Sequence, residues 1–470
     1  MTTILPPDSP HRHAVIAGAS LAGLCAARVL SKSDYFERVS ILDFDELSDC
    51  DEPRRGVGQG HHSHVLLHAG LQAIERLFPG LTDELDDFGA GLVDAGAEMR
   101  WYQSGRWRPR FASDVELFWC ERARLESAIR RRLSAEEGLE IVDRRKVVDF
   151  LDSDDADGNA VGGVRAEIVG DDQIQKWPAE LVVDAMGRGT RTPGLLDDFG
   201  VDSFETERCD VDLSYSSFKT TYPDDYDGTW KTLVVYPSIP EQRKMGLCYP
   251  VDDERFHVTL GGWCGDAPPT DDEGVAQFAR NLGHPALAEF IGDSERVSKI
   301  HRFRVPEATW RRYDRVQNWP TGLICVGDAV CNFNPVYGQG MTVCAKAAEE
   351  LETMLQHANT PRGSAPLFNG QRARSFQQTV ASIVHTPWLL SASQDQLYPE
   401  VSGVSGLPAH AGFMVKHIVD ASCYHESVYE AFLEVLALKS SPLRFLSPKV
   451  APRLATHAVS RAVQGLMPQN

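Results

Sequence analysis

One stretch restricts the possible folds of this chain more than any other: Gly322-Leu-Ile-Cys-Val-Gly327-Asp328-Ala-Val-Cys-Asn-Phe-Asn-Pro335-Val-Tyr-Gly338-Gln339-Gly340-Met341-Thr. An apolar run that suits a buried strand passes into a Gly-Asp turn, then into a Pro/Gly-rich loop that opens on the helical pattern Val343 to Leu355. Such a unit presents backbone N–H groups and a helix N-terminus to an anion, and Asp328 adds one carboxylate able to accept from a sugar or ribitol hydroxyl. A dinucleotide offers both kinds of partner. Glycine at these positions lets backbone approach a ring or phosphate where a side chain would collide.

A second glycine turn lies near the N-terminus, in Ala14-Val-Ile-Ala-Gly18-Ala-Ser20-Leu21-Ala22-Gly23-Leu. It suits a strand, a tight turn and a helix start, and the strand Val39 to Asp43 follows about twenty residues on, ending in an acid placed for a ribose hydroxyl. Ser20 stands where the middle glycine of the usual pattern would be. Its side chain is small enough for close approach to a pyrophosphate, and its hydroxyl can donate.

The two units in this order resemble the flavoprotein monooxygenases related to p-hydroxybenzoate hydroxylase and squalene epoxidase. In those proteins a late Gly-Asp unit and an N-terminal phosphate loop hold FAD together. A third match is Asp184-Ala-Met-Gly187, which resembles the family's D-x-x-G motif at the end of a strand. A fourth is Arg54-Arg55-Gly-Val-Gly-Gln59-Gly-His61-His62-Ser-His64, which resembles the R-x-G-x-x-Q-x-x-H-x-H stretch of bacterial polyene epoxidase-like members. That stretch runs alongside the FAD there, which implicates Arg54 or Arg55, Gln59 and His62. The family's R-x-x-L-x-x-x-x-R helix implicates Arg122. From the phosphate loop and the Gly-Asp unit come Gly18, Ser20, Leu21, Ala22, Gly23, Asp43, Gly327, Asp328, Pro335, Gly338, Gln339, Gly340 and Met341.

The resemblance covers residues 12 to 355. It implies an α/β chain with a Rossmann-type FAD-binding domain, an inserted antiparallel-sheet substrate domain and a helical C-terminal region. The expected segments are 12–94, 112–205 and 318–360 for FAD, 95–111 and 206–317 for the substrate domain, and 371–470 for the helices. Period-two runs such as Val211 to Phe218 and Phe256 to Trp263 carry the sheet expectation, and Pro387 is expected to kink a helix.

The implied activity is insertion of one oxygen atom from O2 into an apolar organic substrate, by epoxidation or hydroxylation, through a flavin C4a-hydroperoxide. The flavin carries the chemistry, so no catalytic side chain is named. No further glycine-rich loop serves a separate nicotinamide; NAD(P)H in the same cleft or a partner reductase would supply electrons. Two other readings stand beside this one: an FAD-dependent reductase of isoprenoid double bonds, and a non-catalytic flavin-binding redox protein. Flavin halogenases carry W-x-W-x-I-P and isoprenoid reductases a Trp/Phe-rich counterpart, whereas this chain has Leu247-Cys248-Tyr249-Pro250, which weakens both classes.

Composition narrows the partners. A net charge of −20 over 470 residues disfavours nucleic-acid binding, whose affinity comes mainly from neutralised phosphates. The Asp-rich, Lys-poor balance could reflect a salty cytoplasm, but a GC-rich genome gives much the same bias and is the preferred reading. The ten cysteines include no C-x-x-C pair, so buried free thiols in a reducing cytoplasm are expected. Met1 to His13 is polar and lacks a secretory pattern, and no apolar run is long enough to span a bilayer. Four nearby histidines, 61, 62, 64 and 68, invite a metal, but no acidic or thiol partner stands at ligand spacing, so none is expected. After Glu434 the chain has no acid yet carries Lys439, Arg444, Lys449, Arg453 and Arg461. This basic tail either docks on the protein's own acidic surface or contacts an anionic membrane or a reductase.

Overall fold

The computed structural model describes residues 12–48, 51–86, 91–153, 159–171, 173–357, 366–402 and 410–466, the side chains of 461–466 excepted. Residues 1–11 and the Arg461 side chain therefore lie outside the described residues.

Five short strands rich in Val, Ile and Leu build a wholly parallel sheet in the order Leu323–Cys325, Leu181–Asp184, His13–Ala17, Arg38–Leu42, Leu139–Val142. All five residues of His13–Ala17 are buried, as continuous apolar strands covered on both faces must be. The register sets Ala17 beside Asp184 and Asp184 beside Cys325. The phosphate loop, the turn after Asp184 and the Gly-Asp turn therefore leave the sheet at one carboxyl edge, where open α/β sheets bind ligands. Helices Leu21–Ser31 and Gln339–Gln356 pack against each other beside it, and a three-stranded antiparallel sheet, Arg145–Asp152, Val161–Ile168 and Ile174–Pro178, packs on the strand Leu181–Asp184.

A second sheet stands over that edge in the order His301–Val305, Leu213–Thr221, Arg255–Gly262, Lys244–Pro250, Thr232–Val235, Met99–Gln103, Arg106–Trp107. The expected antiparallel sheet has one exception. Met99–Gln103 pairs parallel with Thr232–Val235 because it arrives from a separate excursion of the chain. Two helices start later than the helical spacing in the sequence, which runs from His64 to Leu77 and from Trp119 to Leu133. The segment from His64 first forms the strand Val65–Leu66 and turns helical only at His68, since His62 and Ser63 are tied to the second sheet through Ser217 and Thr259. Trp119 likewise ends a strand, Glu116–Trp119, before the helix Arg122–Ser134.

The C-terminal region is helical: Gly370–Asp395, Ala411–Ser422, Glu426–Leu436 and Ala451–Leu466. The first runs on through Pro387, and the Ser391 hydroxyl bonds the Pro387 carbonyl at 2.8 Å. Two cations of the basic tail meet the chain's own acids, Lys439 with Asp114 at 2.6 Å and Arg444 with Glu434 at 2.5 Å. No helix among the described residues is long and apolar enough to cross a membrane.

Candidate functional site

The phosphate loop is built around two glycines. Gly18 has φ +112°, and a Cβ there would stand 2.4 Å from the Ala185 carbonyl oxygen; one on Gly23 would stand 1.9 Å from that of Gly18. No side chain fits at either. Around them runs a closed ionic network. Asp43 accepts from the Ala19 N–H at 2.7 Å, from the Asp45 N–H at 2.9 Å and from Arg54 at 2.9 Å. Arg54 also reaches the Ala19 carbonyl and Glu126. Glu126, 2% exposed, takes the Ser20 hydroxyl at 2.6 Å, the Leu21 N–H at 3.1 Å and Arg122 at 2.9 Å. Burial alone would raise its carboxyl, but Arg122, Arg54 and the Ser20 hydroxyl outweigh that and hold it down at about 2.

The Gly-Asp unit is open by comparison. Gly327 has φ +62°, and a Cβ there would lie 2.8 Å from that of Ala22, so Ala22 is the small residue on which the turn rests. Asp328 keeps 36% of its side chain exposed and has Arg188 Nε at 3.7 Å. Gly338, in the left-handed conformation, starts the helix Gln339–Gln356 with no side-chain cap and no acid in the first turn. Its N-terminal N–H groups are left for a ligand.

A cleft with about 1000 Å3 of space joins these parts to the second sheet. Leu21, Arg122 and Cys344 line it from the nucleotide side, and Asp328, Phe333, Pro335, Gly338, Gly340 and Met341 from the Gly-Asp unit. Tyr215, Met245, Leu247, Thr259 and Gly261 form the sheet wall, and Gln59, His62, Ser63 and His64 close one end.

Several residues singled out in the sequence do not line this cleft. Gly18, Ala22, Gly23 and Gly327 pack behind it; Ser20, Asp43 and Arg54 belong to the ionic network; Arg55 is exposed. Asp184 is fully buried, and its carboxylate accepts from Thr190, Thr192 at 2.6 Å and the Met186 N–H at 3.0 Å. It shapes its own turn, which brings Gly187 near Asp328. Gln339 points away, its amide donating to the Leu436 carbonyl at 3.0 Å. Conversely, Arg188, Tyr215, Ser63 and Thr259 line the cleft although pattern reasoning did not select them, and Glu126 ties its floor. Arg188 is the neighbour of Gly187, and Glu126 stands one turn after Arg122; that spacing was the available signal.

The histidines act as neutral groups. His64 Nδ1 lies 2.8 Å from the His62 carbonyl, which can only accept, so Nδ1 carries the proton and Nε2 keeps a lone pair. Burial, then the Arg122 charge, lowers His64 to about 3; burial, then His257 and His61, does the same for His62. His62 Nδ1 meets Ser217 at 2.8 Å, which continues to Thr259 at 2.7 Å and Ser63 at 2.6 Å. His61 stacks on His301 at 3.8 Å. Among the described residues no group of three or more His, Cys, Asp or Glu side chains is arranged to hold a metal.

The site suits FAD. Arg122 and Arg188 line the cleft with Asp328; Arg122 is already paired with Glu126, whereas Arg188 Nε is buried without a hydrogen bond among the described residues, which leaves the Arg188 guanidinium for an anion such as a diphosphate.

No protein-family model matches the chain. Protein Rv3254 of Mycobacterium tuberculosis is 32% identical over 408 residues, with 82% of this chain and 81% of the mycobacterial protein covered. Among solved structures, the flavin-dependent brominase Bmp2 superposes with a TM-score of 0.65 at 15% identity, covering 96% of this chain and all of Bmp2. Pseudomonas aeruginosa PqsL, solved with 2-aminobenzoylacetate, gives 0.59 at 18%, covering 82% of this chain and 98% of PqsL. For 2-methyl-3-hydroxypyridine-5-carboxylic acid oxygenase the values are 0.57 and 16%, with 87% and 97% covered. Identities this low establish shared architecture and leave the reaction to be argued from the site. The chain belongs to the family of Rv3254, and its fold is the one shared by Bmp2, PqsL and 2-methyl-3-hydroxypyridine-5-carboxylic acid oxygenase.

Proposed function

We propose that the protein is an FAD-dependent monooxygenase that transfers one oxygen atom from O2 to an apolar organic substrate, by epoxidation or hydroxylation. The observation that carries this reading is the cleft itself, in which residues of the phosphate loop and the Gly-Asp unit face the sheet wall across one space. When bound there, FAD supplies the electron transfer and the activation of O2.

The chain's part is binding, orientation and exclusion of water. Arg122, Arg188 and the open N-terminus of Gln339–Gln356 attract a diphosphate or a ring carbonyl. Asp328 accepts from a hydroxyl of the dinucleotide. Tyr215, Met245 and Leu247 make the opposite wall largely apolar, and Phe333 adds to this from the Gly-Asp side, which keeps water from a reactive centre. His64 Nε2 offers an acceptor without charge, and the hydroxyl chain Ser217, Thr259, Ser63 beside His62 holds protons within hydrogen-bonding distance of one another. NAD(P)H reaching the same cleft or a partner reductase supplies the electrons. Halogenation is the weaker reading beside the brominase likeness, because Leu247-Cys248-Tyr249-Pro250 stands where halogenases carry their signature.

The test is atom transfer. Protein loaded with FAD, reduced and supplied with neutral alkenes and aromatics under 18O2 should give product carrying one 18O, without halide incorporation and unaffected by chelators. Product formed anaerobically with two hydrogens gained and no label would install the isoprenoid-reductase reading instead.

A further inference from the structure

The long C-terminal helix Gly370–Asp395 ends on an acid that takes no part in lining the cofactor cleft. Asp395 is 1% exposed, and no Lys, Arg or His pairs with it among the described residues. A carboxylate is unfavourable here on three counts: burial, the lack of a counter-ion, and the negative end of a helix dipole. Hydrogen bonds from two distant parts of the chain offset this.

One donor is the Trp263 indole N–H, just past the strand Arg255–Gly262, which reaches Oδ1 at 3.0 Å. The others come from the loop after the Gly-Asp turn. Asn334 Nδ2 donates to Oδ1 at 3.2 Å and to Oδ2 at 3.0 Å, and the Tyr337 hydroxyl donates to Oδ1 at 2.8 Å. The Asn334 amide has one possible orientation, because its Oδ1 accepts the Val336 N–H at 3.1 Å. Asn334 and Tyr337 thus face Asp395, while Pro335, Val336 and Gly338 of the same turn line the cleft. The Gly338 N–H closes this turn on the Pro335 carbonyl at 3.0 Å, and from Gly338 starts the helix whose N–H groups are open to a ligand.

We propose that Asp395, as a carboxylate, is a positioning residue for the cofactor: through Asn334 and Tyr337 it holds the loop Pro335 to Gly338 in the shape that receives FAD. Cofactor affinity is thereby tied to the C-terminal helical region. This rests on the reading of the cleft as an FAD site.

Burial raises the Asp395 carboxyl to about 6 against the bonds from Asn334, Tyr337 and Trp263. The other ionisable groups around it are the phenols of Tyr236, Tyr337 and Tyr398 and the thiols of Cys209 and Cys264, all pushed upward by burial. Arg243, which acts on Tyr398 and Cys264, is paired with Glu400. Asp395 is therefore the group of this cluster that titrates between about pH 4 and pH 8. Its folded value lies above the unfolded 3.8, so the FAD-free fold loses stability as pH rises from about 4 through 6. FAD affinity runs the other way, because a protonated Asp395 gives the loop weaker bonds than an ionised one. A carboxylate with a structural role alone does not produce these opposed trends.

Hydrogen exchange of the FAD-free chain, fluorescence titration with FAD and urea denaturation test the assignment together. Asp395→Asn keeps the shape but turns an amide N–H toward other donors. It should speed exchange of the Val336 and Gly338 amides, weaken FAD at least about tenfold at pH 8, and abolish the fall in affinity that the parent shows on going to pH 5. Tyr337→Phe removes one loop bond; it should weaken FAD about threefold and decides the matter if Asp395→Asn does not fold. Trp263→Phe removes a bond to the same carboxylate without touching the loop, so it should lower stability and keep FAD affinity within about twofold. Unchanged affinity in folded Asp395→Asn, or an equal loss in Trp263→Phe, overturns the positioning role. If the loop amides respond as expected but the parent binds no FAD, the link from Asp395 to the loop stands and the cofactor reading falls.

Discussion

The phosphate loop and the Gly-Asp unit have the same outline, strand, glycine turn, helix, and leave the same sheet edge, yet they meet a ligand in opposite states. At the first, the Leu21 N–H and the Ser20 hydroxyl already bond Glu126, and Asp43 already holds Ala19 and Arg54. At the second, Asp328 is partly exposed with a loose cation at 3.7 Å, and the helix behind it has no cap. One end is preorganised by its own ions; the other leaves its polar groups for a partner. Substitutions in the first should therefore act mainly on folding, and in the second mainly on cofactor affinity.

The largest effect expected is that of Glu126→Ala. Removing this carboxylate leaves Arg122 and Arg54 buried without one of their anions, and breaking a buried pair in this way costs about 3–5 kcal/mol. Urea denaturation should show the loss directly. A drop below about 1 kcal/mol would mean that the two arginines find water instead, and the contrast between the two ends would fail.

Asp328→Ala probes the open end. A lost charge-assisted bond is worth about 1.5–3 kcal/mol, which loosens FAD by one to two decades, while the denaturation midpoint of the FAD-free protein should move little. Fluorescence titration with FAD reads the first quantity. If affinity is unchanged and stability falls, Asp328 is a structural ion like Glu126.

The sequence made the scaffold of this contrast legible and left its polarity hidden. Glycines at 18, 23 and 327 stand where backbone touches backbone or a neighbouring Cβ, so the turn chemistry could be read from residue type and spacing. Carboxylates were harder. Asp43, Asp184 and Asp328 all end or follow apolar strands and look alike in one dimension, but tertiary partners divide them: two are saturated by neighbouring donors and one is open. Glu126 and Arg188 went unselected because a charged residue on an amphipathic helix or turn looks solvated until the opposing loop is placed. A second cavity, behind the loop Pro335 to Gly338, was out of reach for a related reason. Trp101, Tyr236, Leu390 and Phe432 are far apart in the chain and ordinary as core residues, and only packing shows that space remains between them.

His257 sharpens the comparison with a third condition, polar atoms that are neither satisfied nor offered to a ligand. It is 3% exposed, both ring nitrogens lack partners among the described residues, and burial lowers it to about 3. Its folded pKa lies below its unfolded value of 6.5, so the neutral ring's contribution is fully present above pH 6.5 and is lost as pH falls toward 3. At pH 5 the unfolded chain gains a proton that the folded one refuses, worth about 1–2 kcal/mol. His257→Phe, which keeps the stack on Tyr249, should shrink the stability lost between pH 7 and pH 5 by that amount. An unchanged pH slope would show that the ring is protonated in the folded state.

The smallest expected effect falls at Ser20, where the two roles meet. Its hydroxyl donates to Glu126 at 2.6 Å and accepts from Arg122 at 2.7 Å, so it links the internal ion pair to the loop on which a pyrophosphate would lie. Ser20→Gly supplies the residue more usual at this turn and removes that link. If the hydroxyl serves the ionic network, the variant should lose about 0.5–1.5 kcal/mol of stability and keep its FAD affinity within about threefold, since Arg122 still reaches Glu126 directly. If instead affinity falls tenfold with stability intact, Ser20 donates to the cofactor. The preorganised end would then share the character of the open one, with Glu126 giving up its partner whenever a dinucleotide binds.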